Sequence, residues 1–169
     1  LITTLGVPEE HDEEGEYEGH TSSVYCLTIN DGKLYSGSWD HSIMVWNCSN
    51  HELITTLDVP EEHDDEGEYE GHDCPVDCLT ISDGKLYSGS GDYWGSIKVW
   101  DCNTNKLITT LTEHTGTVAH LRIHGGKLYS VSDNVGVPEE HDEEGEYEGH
   151  TSSVSRCMIA ATILSLLLQ

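Results

Sequence analysis

The chain has 169 residues, with 32 Asp and Glu against 7 Lys and Arg and a formal net charge of −25. The length fits one domain, and the acid excess rules out a basic nucleic-acid-binding surface and disfavours docking on anionic membrane. Only 23% of residues are charged, and 8 Tyr and 4 Trp are present, so the acid is concentrated in segments of an otherwise foldable chain.

In chain order, residues 1–5 read LITTL, a run that recurs at 53–57 and 107–111. It reads as the last strand of a preceding unit. Residues 6–19 are GVPEEHDEEGEYEG, residues 58–71 are DVPEEHDDEGEYEG, and residues 136–149 repeat the first exactly. These three inserts hold 22 of the 32 acids and no Lys or Arg, leaving the other 127 residues at a net −3. They lack an apolar period and contain Pro and Gly, so each reads as a solvated loop. Residues 19–57 form a first unit with four expected strands at 24–29, 33–38, 43–46 and 53–57, and Asn30-Asp31-Gly32 marks a tight turn. Residues 71–111 repeat this unit, and a partial third copy covers 112–134. Residues 135–169 combine the third insert, a degenerate partial unit opening at Gly149-His150, and an apolar tail too short to span a bilayer. The start at Leu1 and the lack of a visible signal peptide suit a fragment or a processed chain.

A repeat of about 40–50 residues with four short strands is the signature of a propeller blade. The Gly19-His20 and Gly71-His72 pairs, the LYSGSWD and LYSGSGD runs and the endings VWN and VWD resemble the WD-repeat β-propeller family over roughly residues 1–57 and 71–134. The resemblance implies an all-β fold, a partial β-propeller of four-stranded antiparallel blades with acidic inter-blade loops. It also implies hydrogen-bonded sets within blades: His20, Ser36, Asp40 and Trp46; His72, Ser88, Asp92 and Trp100; and His114 with Ser130. Each His precedes its Ser by 16 residues, and the Asp follows 20 after the His in the first two units, where the third has Asn134. An indole N–H only donates, a hydroxyl does both, and a carboxylate accepts, so the set can satisfy itself when buried.

A His, Asp and Ser trio also invites a hydrolase reading. Its recurrence in successive repeats and the lack of a GxSxG elbow favour structure over catalysis, and the chain is read as a non-enzyme. Cys26 and Cys78 fall at equivalent first-strand positions, and Cys48 and Cys102 follow the WN and WD pairs. They read as small core or turn residues, reduced in a cytoplasmic or nuclear protein. Cys74 and Cys78 form a CxxxC without a second pair at zinc spacing, so no metal site is assigned. Asn47-Cys48-Ser49 is read as a chance sequon. No cofactor is expected.

The inserts fail an EF-hand test, because with Glu10 as the first position the twelfth is Thr21 rather than a bidentate Glu. Their carboxylates are candidates for a basic partner or weak cation binding. These are Glu9, Glu10, Asp12, Glu13 and Glu14; Glu61, Glu62, Asp64, Asp65 and Glu66; and Glu139, Glu140, Asp142, Glu143 and Glu144. Each insert lies between the last strand of one unit and the Gly-His of the next. In the family those connections share one face of the disc, so three acidic loops would steer basic proteins. The expected function is a non-catalytic protein-interaction scaffold, with no nucleic-acid or membrane partner. Two other readings stand beside it: a self-assembling protein whose incomplete propellers complete one another, and a targeting module cut from a larger ubiquitin-ligase- or kinase-associated protein. About three units are too few to close a ring, which favours self-association or a segment of a longer propeller.

Overall fold

The fold is known from a computed structural model that describes residues 19–57, 72, 74–91, 95–112, 114, 116–132 and, as backbone, 133 and 155–158. Residues 1–5, the acidic inserts, Asp92, Asn134 and the apolar tail beyond 158 lie outside the described residues. No helix among the described residues is long and apolar enough to cross a membrane.

Period-two alternation of β-branched and aromatic residues makes each unit a sheet. The first sheet takes β1 (Val24–Asn30), β2 (Lys33–Ser38), β3 (Ile43–Asn47) and β4 (Leu53–Leu57) in that order, all antiparallel. The second takes β5 (Val76–Ser82), β6 (Lys85–Ser90), β7 (Ile97–Asp101) and β8 (Leu107–Leu111) in the same order. The four strands read from the sequence of the first unit agree with the structure to within one residue at each end. Asp31 and Gly32 at φ 47° and 73°, Asp83 and Gly84 at 51° and 70°, and Gly125 and Gly126 at 57° and 72° make the two-residue turns that join first and second strands. Both central residues are left-handed, as the twist of the hairpin requires.

The third sheet pairs β9 (Val118–His124), β10 (Lys127–Asp133) and β11 (Ser155–Met158). Here the structure differs from the sequence reading. The third unit does have a third strand, supplied by residues assigned above to the degenerate partial unit. Ser130 pairs Met158 as Ser36 pairs Met44 and Ser88 pairs Lys98. The third acidic insert therefore joins the second and third strands of one sheet and does not connect two units. The edge of β10 supplied unpaired backbone groups that β11 satisfies.

The sheets stack through their first two strands: β5 lies against β1 and β2, and β9 against β5 and β6. Between the first two sheets, Tyr35, Ile43, Val45 and Leu57 meet Val76, Leu86, Trp100 and Cys102, with Leu79 and Ile81 packed beside them. Between the second and third, Cys78, Tyr87, Ile97 and Val99 meet Val118 and Leu128, flanked by Leu121 and Ile123. Each fully buried aliphatic side chain of this kind contributes about 1.5–3 kcal/mol. Lys33 Nζ adds a polar tie across the first interface, donating to the Cys102 carbonyl at 2.8 Å.

Candidate functional site

Two features of the sheets bear on function: the polar sets inside them and the end at which the acidic inserts attach. In the first sheet the Trp46 indole donates to Ser36 Oγ at 2.9 Å, and Ser36 Oγ lies 2.7 Å from His20 Nε2. Because the Asp40 carboxylate can only accept, His20 Nδ1 carries the proton given to Asp40 Oδ2 at 3.0 Å, and Nε2 of the neutral ring accepts from Ser36 Oγ. Asp40 then accepts from Ser42 Oγ at 2.6 Å, from the Ser42 amide at 3.0 Å and from the Thr21 amide at 2.8 Å. Burial works to raise the Asp40 carboxyl, but the hydrogen bonds from Ser42 and Thr21 and the neighbouring His20 outweigh it and hold it below its ordinary value.

The second sheet repeats the core of this set: Ser88 Oγ lies 2.7 Å from His72 Nε2 and accepts from Trp100 Nε1 at 2.9 Å. Burial, with the nearby Lys98 and His41 charges, lowers the His72 pKa to about 3. In the third, His114 Nε2 and Ser130 Oγ lie 2.7 Å apart. Met44 and Lys98 stand two residues before Trp46 and Trp100, and the same offset from Met158 falls on Ala160. Ser36, Ser88 and Ser130 are each 3% exposed or less. Ser36 and Ser88 each also accept an indole proton.

Cys26, Cys48, Cys78 and Cys102 are free thiols. Burial pushes Cys26 up to about 12 and raises Cys78 and Cys102 as well, so these thiols stay protonated and unreactive. Among the described residues no group of three His, Cys, Asp or Glu could hold a metal ion.

The opposite ends of the sheets differ in character. The hairpin turns at Gly32, Gly84 and Gly126 mark one end. At the other, Val24 pairs Ser38, Ile43 pairs Leu57, and Asp133 pairs Ser155. The chain therefore enters or leaves all three acidic inserts at this loop end. Here Tyr25 and Trp39 stand half-exposed, at 49% and 53%, with ring centroids 5.8 Å apart in an edge-to-face arrangement. The Trp39 amide donates to the Ser23 carbonyl at 2.9 Å, fixing this turn beside Asp40. The sequence reading did not single out this pair. Its equivalents are Asp77 and Gly91 in the second unit, so it breaks the repeat, and that break was the available signal.

A family model described as WD domain, G-beta repeat matches residues 12–47 and 64–101. The chain carries WD40 repeats. An uncharacterized WD repeat-containing protein of Schizosaccharomyces pombe is 37% identical over 110 residues, covering 59% of this chain and 26% of its own length. U3 small nucleolar RNA-interacting protein 2 of Homo sapiens is 29% identical over 117 residues, covering 67% of this chain and 24% of its own length. Among solved structures, the computationally designed Ika4 protein superimposes with a TM-score of 0.56 at 25% identity, over 69% of this chain and 64% of that one. The chain thus spans about a quarter of the length of the curated relatives. The described sheets form a partial WD40 propeller, with the two matched repeats in the first two sheets.

Proposed function

We propose that this WD40 segment is a non-catalytic protein-interaction scaffold whose loop end receives basic segments of a partner. The observation that carries this reading is the exposed Tyr25–Trp39 pair at the end where the inserts attach. An aromatic face attracts a Lys or Arg side chain at about 0.5–1 kcal/mol when exposed. The 22 carboxylates of the inserts raise the local concentration of cationic ligands. The deficit of Lys and Arg argues against direct phosphate contact. RNA association of a relative such as the U3-interacting protein would accordingly pass through a protein partner here. The free thiols fit a cytoplasmic or nuclear setting. The test is a fluorescence titration of the full chain with an Arg-rich and a Glu-rich peptide at low and raised salt. Salt-sensitive binding of the Arg-rich peptide, weakened about threefold by Trp39→Ala, is the expected result. Equal binding of both peptides overturns the reading.

A second reading, coverage of the open first sheet by another WD40 unit, is favoured by a different observation. Leu27 and Ile29 on β1 are 63% and 68% exposed, which is unusual for the strand that elsewhere in this chain sits between sheets. Sedimentation of wild type against Leu27→Glu/Ile29→Glu tests it, and identical monomeric behaviour over a wide concentration range would count against it.

A further inference from the structure

Successive units meet through one repeated contact. A Cβ added at Gly37 would lie 2.7 Å from Val76 Cγ1 and 2.7 Å from Cys26 Sγ. The Cys26 thiol donates to the Val76 carbonyl at 3.4 Å. The next interface repeats this: a Cβ at Gly89 would lie 2.8 Å from Val118 Cγ1 and 2.6 Å from Cys78 Sγ, and that thiol donates to the Val118 carbonyl at 3.1 Å. The valine that opens one unit therefore fills a socket in the unit before it. The socket is a first-strand cysteine beside a second-strand glycine, and the space is too small for any side chain at the glycine.

The two ends of the stack break this pattern in opposite ways. At the first unit the opening Val24 is 47% exposed, whereas Val76 and Val118 are fully buried. Leu27 and Ile29 project beside it, at the positions where Leu79, Ile81, Leu121 and Ile123 pack against a preceding sheet. At the third unit the socket positions hold His120 and Val131. They pair across β9 and β10 as Cys26 pairs Gly37 and Cys78 pairs Gly89. A valine at 131 takes the volume that an incoming valine would need.

We propose that the β1 face of Val24, Leu27 and Ile29 docks, in trans, a WD40 unit that pairs a first-strand cysteine with a second-strand glycine, and that the third unit of a second copy does not serve. The proposal rests on the reading that the open face is covered by another unit. Its warrant is continuity: the same face is buried twice within this chain, each time on that socket. Among the described residues the stack is open at one end and stopped at the other, so head-to-tail stacking of identical copies is blocked by Val131.

The experiment opens the stop. A full chain with His120→Cys, Val131→Gly, Leu27→Glu and Ile29→Glu presents a socket but no docking face of its own. It is titrated into labelled wild-type chain, beside a control carrying only Leu27→Glu and Ile29→Glu. The open-socket copy is expected to bind at least about tenfold more tightly. Equal, measurable affinity for both copies overturns the socket requirement while leaving the covered-face reading in place. No binding to either copy overturns both. Circular dichroism establishes that each variant is folded. Gly37→Val in the otherwise unchanged chain gives an independent measurement: hydrogen exchange at the Val76 and Cys78 amides should accelerate, and unchanged exchange would contradict the socket.

Discussion

Trp46 and Ser36 are joined by a 2.9 Å hydrogen bond in which the indole, 4% exposed, gives its proton to a hydroxyl that is 3% exposed. Neither group has water to fall back on. Removing the acceptor strands the donor, and a stranded buried polar group costs about 1–3 kcal/mol. Ser36→Ala should destabilise the chain by that amount in urea denaturation. Adding Trp46→Phe should cost less than the sum of the two single changes, because the stranded N–H goes with it. Strict additivity would show that the two residues are not coupled.

Stability should fall with acid in a defined window. His72 is held neutral in the fold, its pKa lowered from 6.5 to about 3 by burial. The unfolded chain binds a proton there below about 6.5 and the folded chain does not, so protonation favours unfolding. The contribution is fully present above pH 6.5 and is lost as pH falls toward 3. Asp40 adds a second loss only lower, through the ordinary carboxylate range near 3.8, because its folded value is depressed. Urea midpoints measured between pH 7 and about 4.5 therefore read the histidine loss above the Asp40 range, with Asp77, whose carboxyl burial raises, acting in the opposite sense. His72→Asn should flatten the slope there, and an unchanged slope would point to another group.

Thiol labelling should proceed in two classes. Cys48 is exposed, whereas Cys26 is pushed up to about 12 and donates to the Val76 carbonyl, and Cys78 is buried against Val118. Under native conditions Cys48 should react first, with Cys26 and Cys78 slower by roughly a hundredfold or more. Peptide mapping after timed alkylation reads this directly.

Two glycines should fail for different reasons. At Gly84, φ is +70° with nothing within 4 Å of an added Cβ, so Gly84→Ala costs only backbone strain, about 1 kcal/mol. At Gly37 the backbone is unstrained but the space is filled by Val76 and Cys26. Gly37→Ala should cost about 1–3 kcal/mol through overpacking. It should also loosen the contact between the first two sheets, which Gly84→Ala should not do. Chemical denaturation with hydrogen exchange separates the two.

Local patterns carried much of this fold in the sequence. The Asn30-Asp31-Gly32 turn, the alternation through β1 and β2, and the 16-residue spacing of His20 and Ser36 are short-range signals that tertiary context left alone. The origin of β11 was not legible, because pairing of Ser155 with Asp133 spans an insert that hides the repeat spacing. The Tyr25–Trp39 contact was not legible either, since only the β1–β2 register, with its irregularity after Val24, brings the two rings together. The socket needed three dimensions: Gly37 and Val76 are far apart in sequence, and glycine in a strand announces no partner.

Loop lengths divide sharply between the two ends of the sheets. At the turn end, first and second strands are joined by two residues in all three units, and third and fourth strands by five in both complete units. At the loop end, the link from second to third strand grows from four residues to six and then to 21, and the links between units differ as well. One rim of the molecule is a fixed frame, and the other is a place where sequence can be inserted without disturbing strand register. An unrelated peptide grafted in place of residues 58–71 should therefore be displayed on an unchanged pair of sheets, making this small WD40 segment a scaffold in the engineering sense as well.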